Sequence, residues 1–256
     1  MERRTFLTSV LGSAVVMSTA AKATAGQGNS AQPSPEFYVW RQYVLRNGPQ
    51  LRRVADFLQN AAIPALNRLG HKPIGAFEVV AGVPAPTVFL ITPCSTLERL
   101  AALDAGLEAD AEYTRAGAAY IDAPATDAPY VRQEVSLLAA FPKMPRIQVP
   151  AATAAKGPRL FELRTYENPS EKAQGAKMRM FSEMGEIEIF RRVGLTPVFF
   201  SRAIVGPHMP NITYMLVHEN TAGREKSWDT FRTDPEWRKL ARRRQWMRRW
   251  PGVMSV

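Results

Sequence analysis

The chain has 256 residues, of which 46% are hydrophobic and 22% charged, with 20 Pro, 16 Gly and a single Cys. Those proportions belong to a globular protein with enough chain for a sizeable core, and they exclude a disordered polymer, a collagen-like fibre and a disulfide scaffold. The formal net charge of +10 sits at the two ends: Arg3, Arg4 and Lys22 lie in the leader, and Arg238, Lys239, Arg242, Arg243, Arg244, Arg248 and Arg249 crowd the last 19 residues without an acid among them. The body between is nearly neutral and lacks the broad basic face that a phosphate backbone requires, so no nucleic-acid partner is expected.

Residues 1–25 read as an export signal: a charged start, an apolar stretch from Phe6 to about Met17, and small residues ending in Ala21-Lys22-Ala23-Thr24-Ala25. The stretch is shorter than the roughly 20 apolar residues of a spanning helix, so no stable membrane anchor is expected. Arg3-Arg4-Thr5-Phe6-Leu7 resembles the twin-arginine signal of bacterial Tat export, although Glu2 and Thr8 depart from the usual flanking residues. The expected location is periplasmic or secreted through the Tat pathway, with general secretion and a chance basic N-terminus as lesser alternatives. Cys94 has no partner for an intrachain disulfide and reads as a small apolar residue beside a helix cap at Ser95.

A Gly/Ser/Pro/Gln linker over 26–35 leads into a first repeat, 36–141. A Pro/Ala-rich linker, 142–158, precedes a second repeat, 159–240. At an offset of 124, Gly70, Pro73, Gly82, Pro86, Asp110 and Glu112 meet Gly194, Pro197, Gly206, Pro210, Asp234 and Glu236, and Tyr113 meets Trp237. At an offset of 123, Arg41 and Tyr43 meet Arg164 and Tyr166. Shared turn residues in the same order around the same periodic segments predict an internal duplication.

Each copy reads β-α-β-β-α. In the second, a strand runs from Arg159 to Glu167, Ser170 caps a helix running to Gly194, and strands Thr196–Ile204 and Asn211–Glu219 form a hairpin. A further helix starts near Gly223. Met180, Met184 and Ile187 form one core stripe, as Leu51, Val54, Leu58, Ala61 and Ala65 do in the first copy. The first copy adds a capping box at Ser95-Thr96-Leu97-Glu98 and a fourth strand from Tyr130 to about Leu138. The fold class is α+β: tandem ferredoxin-like repeats whose open sheet faces cover each other in an intramolecular dimeric α+β barrel. Homo-oligomerisation is left open.

Two motifs of the second copy carry a family resemblance. Phe161-Glu162-Leu163-Arg164-Thr165-Tyr166 and the segment Trp228, Phe231, Asp234, Pro235, Trp237 resemble the [YF]-E-L-R-x-Y opening and the W-x-x-F-x-x-D-P-x-W segment of the NIPSNAP family, in the family's order. The resemblance is strong over 159–240 and weak in the first copy, and it implies the dimeric α+β barrel without a catalytic set. The family pattern also leads to a closing strand after Trp237, which the basic tail 241–256 does not offer. A diverged or truncated frame is the favoured reading of that tail, followed by a solvated helix and then a membrane or nucleic-acid anchor.

No nucleotide, hydrolase, zinc or redox signature is present, and His71, His208 and His218 are too scattered for a metal site, so no metal or cofactor is expected. His71 and His208 read as surface residues, and His218 as a bland strand-end histidine. The candidate site is the polar face Glu162, Arg164 and Tyr166, alternating with Phe161, Leu163 and Thr165. The apolar residues are expected to pack on the helices and the polar trio to point into the barrel, either as an ion pair locking the copies together or as an anchor for a ligand. Arg41 and Tyr43 repeat the pattern, with Val39 in place of the Glu. Trp228, Phe231 and Trp237 are expected in the core, with Asp234 capping a helix that begins at Pro235. The expected function is to hold a small apolar or aromatic molecule between the two repeats. The alternative is a cofactor-independent barrel enzyme, of oxygenase or isomerase type, acting on a phenolic or polyketide-like substrate.

Overall fold

The computed structural model describes residues 34–82, 86–151 and 159–243. The expected export signal, most of the first linker, residues 152–158 of the second and the tail beyond 243 lie outside the described residues.

The segment read from the sequence as the first copy comprises β1 (Phe37–Val44), α1 (Gly48–Phe57), a π-helical turn (Leu58–Ala62), α2 (Ile63–Arg68), β2 (Gly75–Glu78), β3 (Thr87–Cys94), α3 (Leu97–Ala101), α4 (Leu103–Glu108), α5 (Ala111–Ile121) and β4 (Arg132–Ala140). The second comprises β5 (Leu160–Glu167), α6 (Glu171–Ser182), α7 (Glu186–Arg192), β6 (Thr196–Val205), β7 (Asn211–His218), α8 (Thr221–Thr233) and α9 (Pro235–Arg243). Caps account for several of the helix starts. The Ser170 hydroxyl accepts from the Ala173 N–H at 3.2 Å, Asp234 accepts from Trp237 at 2.9 Å and Asp110 from Tyr113 at 3.0 Å. The cap of α3 is Thr96 rather than Ser95: its hydroxyl accepts from the Arg99 N–H.

The long helix expected from Ser170 to Gly194 is two helices. Gly185 adopts φ 87°, a left-handed conformation that ends α6 and restarts the chain as α7. The break turns Met184 to solvent, at 43% exposure, while Met180 and Ile187 stay in the core.

All seven strands form one antiparallel sheet, ordered β2-β3-β1-β4-β6-β7-β5. The first four have the ferredoxin-like order, and the copies join where β4 pairs with β6, from Leu137↔Val205 to Ala140↔Ser201. The sheet curls into a half-barrel. Its concave interior is apolar and contributed by both copies, with Tyr38, Trp40, Phe89, Leu138, Phe199 and Met215 at its centre. Behind it, Tyr43, Val54, Leu58 and Leu103 pack the helices of the first copy onto their strands, and Phe181, Phe190, Phe200 and Trp228 do so in the second.

Two ion clusters occupy equivalent places. Arg68 binds Asp110 and Glu112 at 2.8 and 3.1 Å, and Arg192 binds Asp234 and Glu236 at 2.8 and 2.6 Å. Each ties the end of the helical segment between the first two strands, α2 or α7, to the start of the later helix, α5 or α9. The glycines following Arg68 and Arg192, Gly70 and Gly194, have φ of 84° and 85°. Among the described residues, no helix is long and apolar enough to cross a membrane.

Candidate functional site

Strand β5 presents its faces the other way round from the sequence expectation. Phe161 and Leu163 pack into the concave interior, while Glu162, Arg164 and Tyr166 lie under the helices of the second copy. The reason is electrostatic. The described residues of the interior cluster are apolar side chains from both copies, whereas on the other face α8 supplies Glu162 with Arg224 and Trp228 and β7 supplies it with His218. The trio therefore ties sheet to helix within the second copy instead of locking the copies together.

Glu162 is the hub. Its Oε1 accepts from Arg164 Nη1 at 3.0 Å and from Arg224 Nη2 at 2.7 Å. Its Oε2 accepts from Trp228 Nε1 at 2.8 Å and from His218 Nε2 at 3.0 Å. Burial alone would raise this carboxyl. Hydrogen bonds from His218, Arg224 and Trp228, with the Arg164 charge, outweigh burial and hold it well below the usual carboxylate range. His218, the last residue of β7, is nearly solvent-free, while Glu219, just beyond the strand, is exposed. Because the acceptor is an ionised carboxylate, His218 Nε2 carries the hydrogen.

The Arg164 guanidinium lies 4.6 Å from the Trp228 ring centre and 5.6 Å from that of Tyr166. Tyr166 and Tyr214 share a hydroxyl–hydroxyl hydrogen bond at 3.1 Å. Burial, followed by the neighbouring Tyr166, pushes the Tyr214 hydroxyl well above its ordinary value, so it stays neutral. Beside them Lys177 from α6 and Glu186 from α7 form a buried ion pair, with Nζ 3.1 and 3.2 Å from the two carboxylate oxygens. Lys177 Nζ also sits 4.0 Å from the centre of the Phe181 ring.

Arg164, Tyr166, Lys177, Glu186, Arg224 and Trp228 border a cavity of about 310 Å³ between β5 and helices α6 to α9. Aromatic rings of Tyr166, Phe190, Trp228, Phe231 and Trp237 form its walls, and Arg164, Lys177, Arg224 and Arg232 give it a basic character against Glu186 and Glu225. Trp228 and Phe231 are core residues as expected, Trp237 packs beside them, and Asp234 caps the helix that begins at Pro235. Trp228, Phe231 and Trp237 also line the cavity.

The first copy has no such constellation. Tyr43 is fully buried against Tyr120 and Tyr130. Arg41 Nε is buried with no hydrogen-bond partner among the described residues. The positions matching Glu162, His218, Arg224 and Trp228 are Val39, Cys94, Leu100 and Asp104. Cys94 is buried as expected, but it touches a histidine: His71 Nδ1 is 3.3 Å from its Sγ and 2.8 Å from the Pro93 carbonyl. His71 is thus a buried residue, at 3% exposure, and not a surface one. Burial raises the Cys94 thiol, which keeps it protonated. Among the described residues, no three His, Cys, Asp or Glu side chains gather as a metal would need.

Sequence reasoning placed Glu162, Arg164 and Tyr166 together but missed Lys177, Glu186 and Arg224, and gave His218 no role. A signal existed for the buried pair. Lys177 falls within the apolar stripe of α6, three residues before Met180, and Glu186 directly precedes Ile187, so opposite charges sit among core positions of adjacent helices.

Residues 161–249 match the model of the NIPSNAP family. Two solved structures cover most of the chain. A Lactobacillus acidophilus NCFM protein named a "putative monooxygenase" aligns over 82% of this chain and 88% of its own, with a TM-score of 0.53 and 8% identity. A protein from Fusobacterium nucleatum, named likewise, aligns over 87% and 90%, with a TM-score of 0.53 and 5% identity. At such identities the likeness shows the fold alone, an α+β barrel. A NIPSNAP family protein of unknown function from Agrobacterium tumefaciens is 21% identical over 41% of this chain and 87% of its own, with a TM-score of 0.34. No curated protein matches the chain.

Proposed function

We propose that this chain is an exported, internally duplicated barrel protein that binds a small molecule with a flat apolar body in the cavity of its second copy. The observation that carries the reading is the cavity itself: about 310 Å³ walled by five aromatic rings, with a hydrogen-bonded polar cluster at one side. That volume is at the small end for ligand sites and suits one or two fused rings. The binding place moves from the space between the repeats to the helix side of the second copy, because Tyr38, Trp40, Phe89 and Phe199 occupy the concave interior. Export rests on the Arg3-Arg4-Thr5-Phe6-Leu7 signal, and the duplication on the repeated turns together with the matched Arg68 and Arg192 clusters.

The enzymatic alternative has one specific support. Tyr166 reaches the cavity with its hydroxyl bonded to the neutral Tyr214, next to the Arg164 cation, a pairing that can hold a phenolic or carbonyl oxygen. The names of the structural neighbours add nothing to it, since only the fold is shared.

Native mass spectrometry of protein purified from the periplasm tests the binding reading. A small-molecule adduct is expected on the native protein and a reduced one on Trp237→Ala. An adduct of equal occupancy on both proteins, or none on either, contradicts it.

A further inference from the structure

Resting on that cavity, we infer that its ligand class is the uncharged aromatic carbonyl compound, a flat ring system whose carbonyl oxygen accepts a hydrogen bond from the Tyr166 hydroxyl. Charge sets the first limit. Arg164 and Arg224 share Glu162, Lys177 faces Glu186, Arg232 binds Asp229, and Glu225 on the wall adds the fourth carboxylate to these four cations. An ionised ligand would leave one charge unbalanced among groups partly removed from water, and a neutral one does not.

The hydroxyl pair sets the second limit. Tyr214 is fully buried, and Tyr166 is the one hydrogen-bond partner of its hydroxyl among the described residues. If Tyr166 donated to it, the Tyr214 hydrogen would be left in the core without an acceptor, an unsatisfied buried donor. Tyr214 therefore donates and Tyr166 accepts, and Arg164 beside them can only donate. The hydrogen of Tyr166 is thus unused among the described residues, and Tyr166 belongs to the cavity wall. A hydroxyl that already accepts one bond is polarised to donate a stronger one. The acceptors at the cavity, in contrast, are engaged. Each oxygen of Glu162 takes two hydrogen bonds, both of Glu186 face Lys177, and Glu225 is exposed to solvent. A carbonyl oxygen needs a donor and brings no hydrogen of its own, so it fits better than a phenol or an amine, whose hydrogens find no open acceptor inside. The rings of Phe190, Trp228 and Phe231 cover the flat body.

Equilibrium dialysis of the protein against 2-acetylnaphthalene and 2-isopropenylnaphthalene tests the inference, because the two probes share a shape and differ by C=O against C=CH2. The ketone is expected to bind about fivefold tighter or more, the scale of a neutral hydrogen bond. Tyr166→Phe should remove that preference and leave the affinity for the alkene nearly unchanged. On the wild-type protein the C=O stretch of the bound ketone should move to lower frequency in the infrared, and an unshifted stretch overturns the hydrogen bond without recourse to a variant. Equal binding of ketone and alkene overturns the carbonyl class but leaves the aromatic cavity standing. Tighter binding of 2-naphthoate than of the ketone overturns the uncharged class. A preference that survives in Tyr166→Phe overturns the role of Tyr166. No binding of any of these probes up to its solubility limit overturns the cavity reading and the inference with it.

Discussion

Phe77 on β2 and Phe161 on β5 meet with their ring centres 4.9 Å apart, although their strands are the two opposite edges of the seven-stranded sheet. The half-barrel is closed on that side by side chains instead of backbone hydrogen bonds. On the other side β4 spans the matching space between β1 and β6.

This closure is testable by a double-mutant cycle. Both rings are half-buried, so Phe161→Ala should cost about 1–2 kcal/mol, below the range of a fully buried Phe. With Phe77→Ala it should show a coupling of about 1 kcal/mol, typical of an aromatic pair. Urea unfolding measures both, and strict additivity would mean that the contact does not hold the edges together.

The junction of the copies gives a second prediction. Gly206 has φ 151°, and a Cβ there would lie 2.5 Å from Ser136 Oγ and 3.2 Å from the Ser136 backbone, across the copy boundary. Gly82, its counterpart, has φ 113°, with nothing described within 4 Å of a Cβ. Gly82→Ala should cost about 1–2 kcal/mol of backbone strain. Gly206→Ala adds a clash and should cost about 1–3 kcal/mol more. Equal losses in chemical denaturation would show that the β4–β6 approach is looser than this.

The Glu162 hub predicts the direction of acid sensitivity. Its folded-state value lies below its unfolded one, so at low pH the unfolded chain binds a proton that the folded chain does not. The contribution is complete above the ordinary glutamate value of about 4.3 and is lost as pH falls below it, at up to about 1.4 kcal/mol per pH unit. Glu162→Gln should flatten the acid limb of the stability curve and cost about 3 kcal/mol at neutral pH, because two arginines lose their carboxylate. An acid limb unchanged in the variant would move the sensitivity to other groups.

Export has its own test. Replacing Arg3 and Arg4 together by Lys should leave the protein in the cytoplasm, since the Tat route discriminates the arginine pair and not merely its charge. Unchanged periplasmic yield on cell fractionation would assign export to general secretion.

Much of this architecture was legible because turns announce themselves. Gly70, Gly82, Gly194 and Gly206 all take positive φ, and Asp110 and Asp234 cap the helices that follow them. Alternation on β5 also showed that Glu162, Arg164 and Tyr166 share a face. It could not show which face, because every residue of β5 is only partly buried and neither side reads as solvent. Orientation was set by the apolar interior that two copies build jointly, a long-range property no local window contains. The break at Gly185 was hidden for a related reason: the apolar period resumes in phase at Ile187, so the sequence reads through it. Arg224 and His218 gained their roles only when α8 and the end of β7 came to lie over Glu162.

The location of the site is the central claim, and the tryptophans on either side of the sheet report on it. Trp228 Nε1 donates to Glu162 at the cavity wall, while Trp40 stacks on Phe89 in the concave interior, ring centres 4.9 Å apart. Following the two indole N–H resonances by NMR during titration with 2-acetylnaphthalene separates the two spaces. The account predicts that the Trp228 signal shifts with saturation and that of Trp40 stays in place; a shift of Trp40 with Trp228 unmoved would put the ligand between the repeats and contradict it.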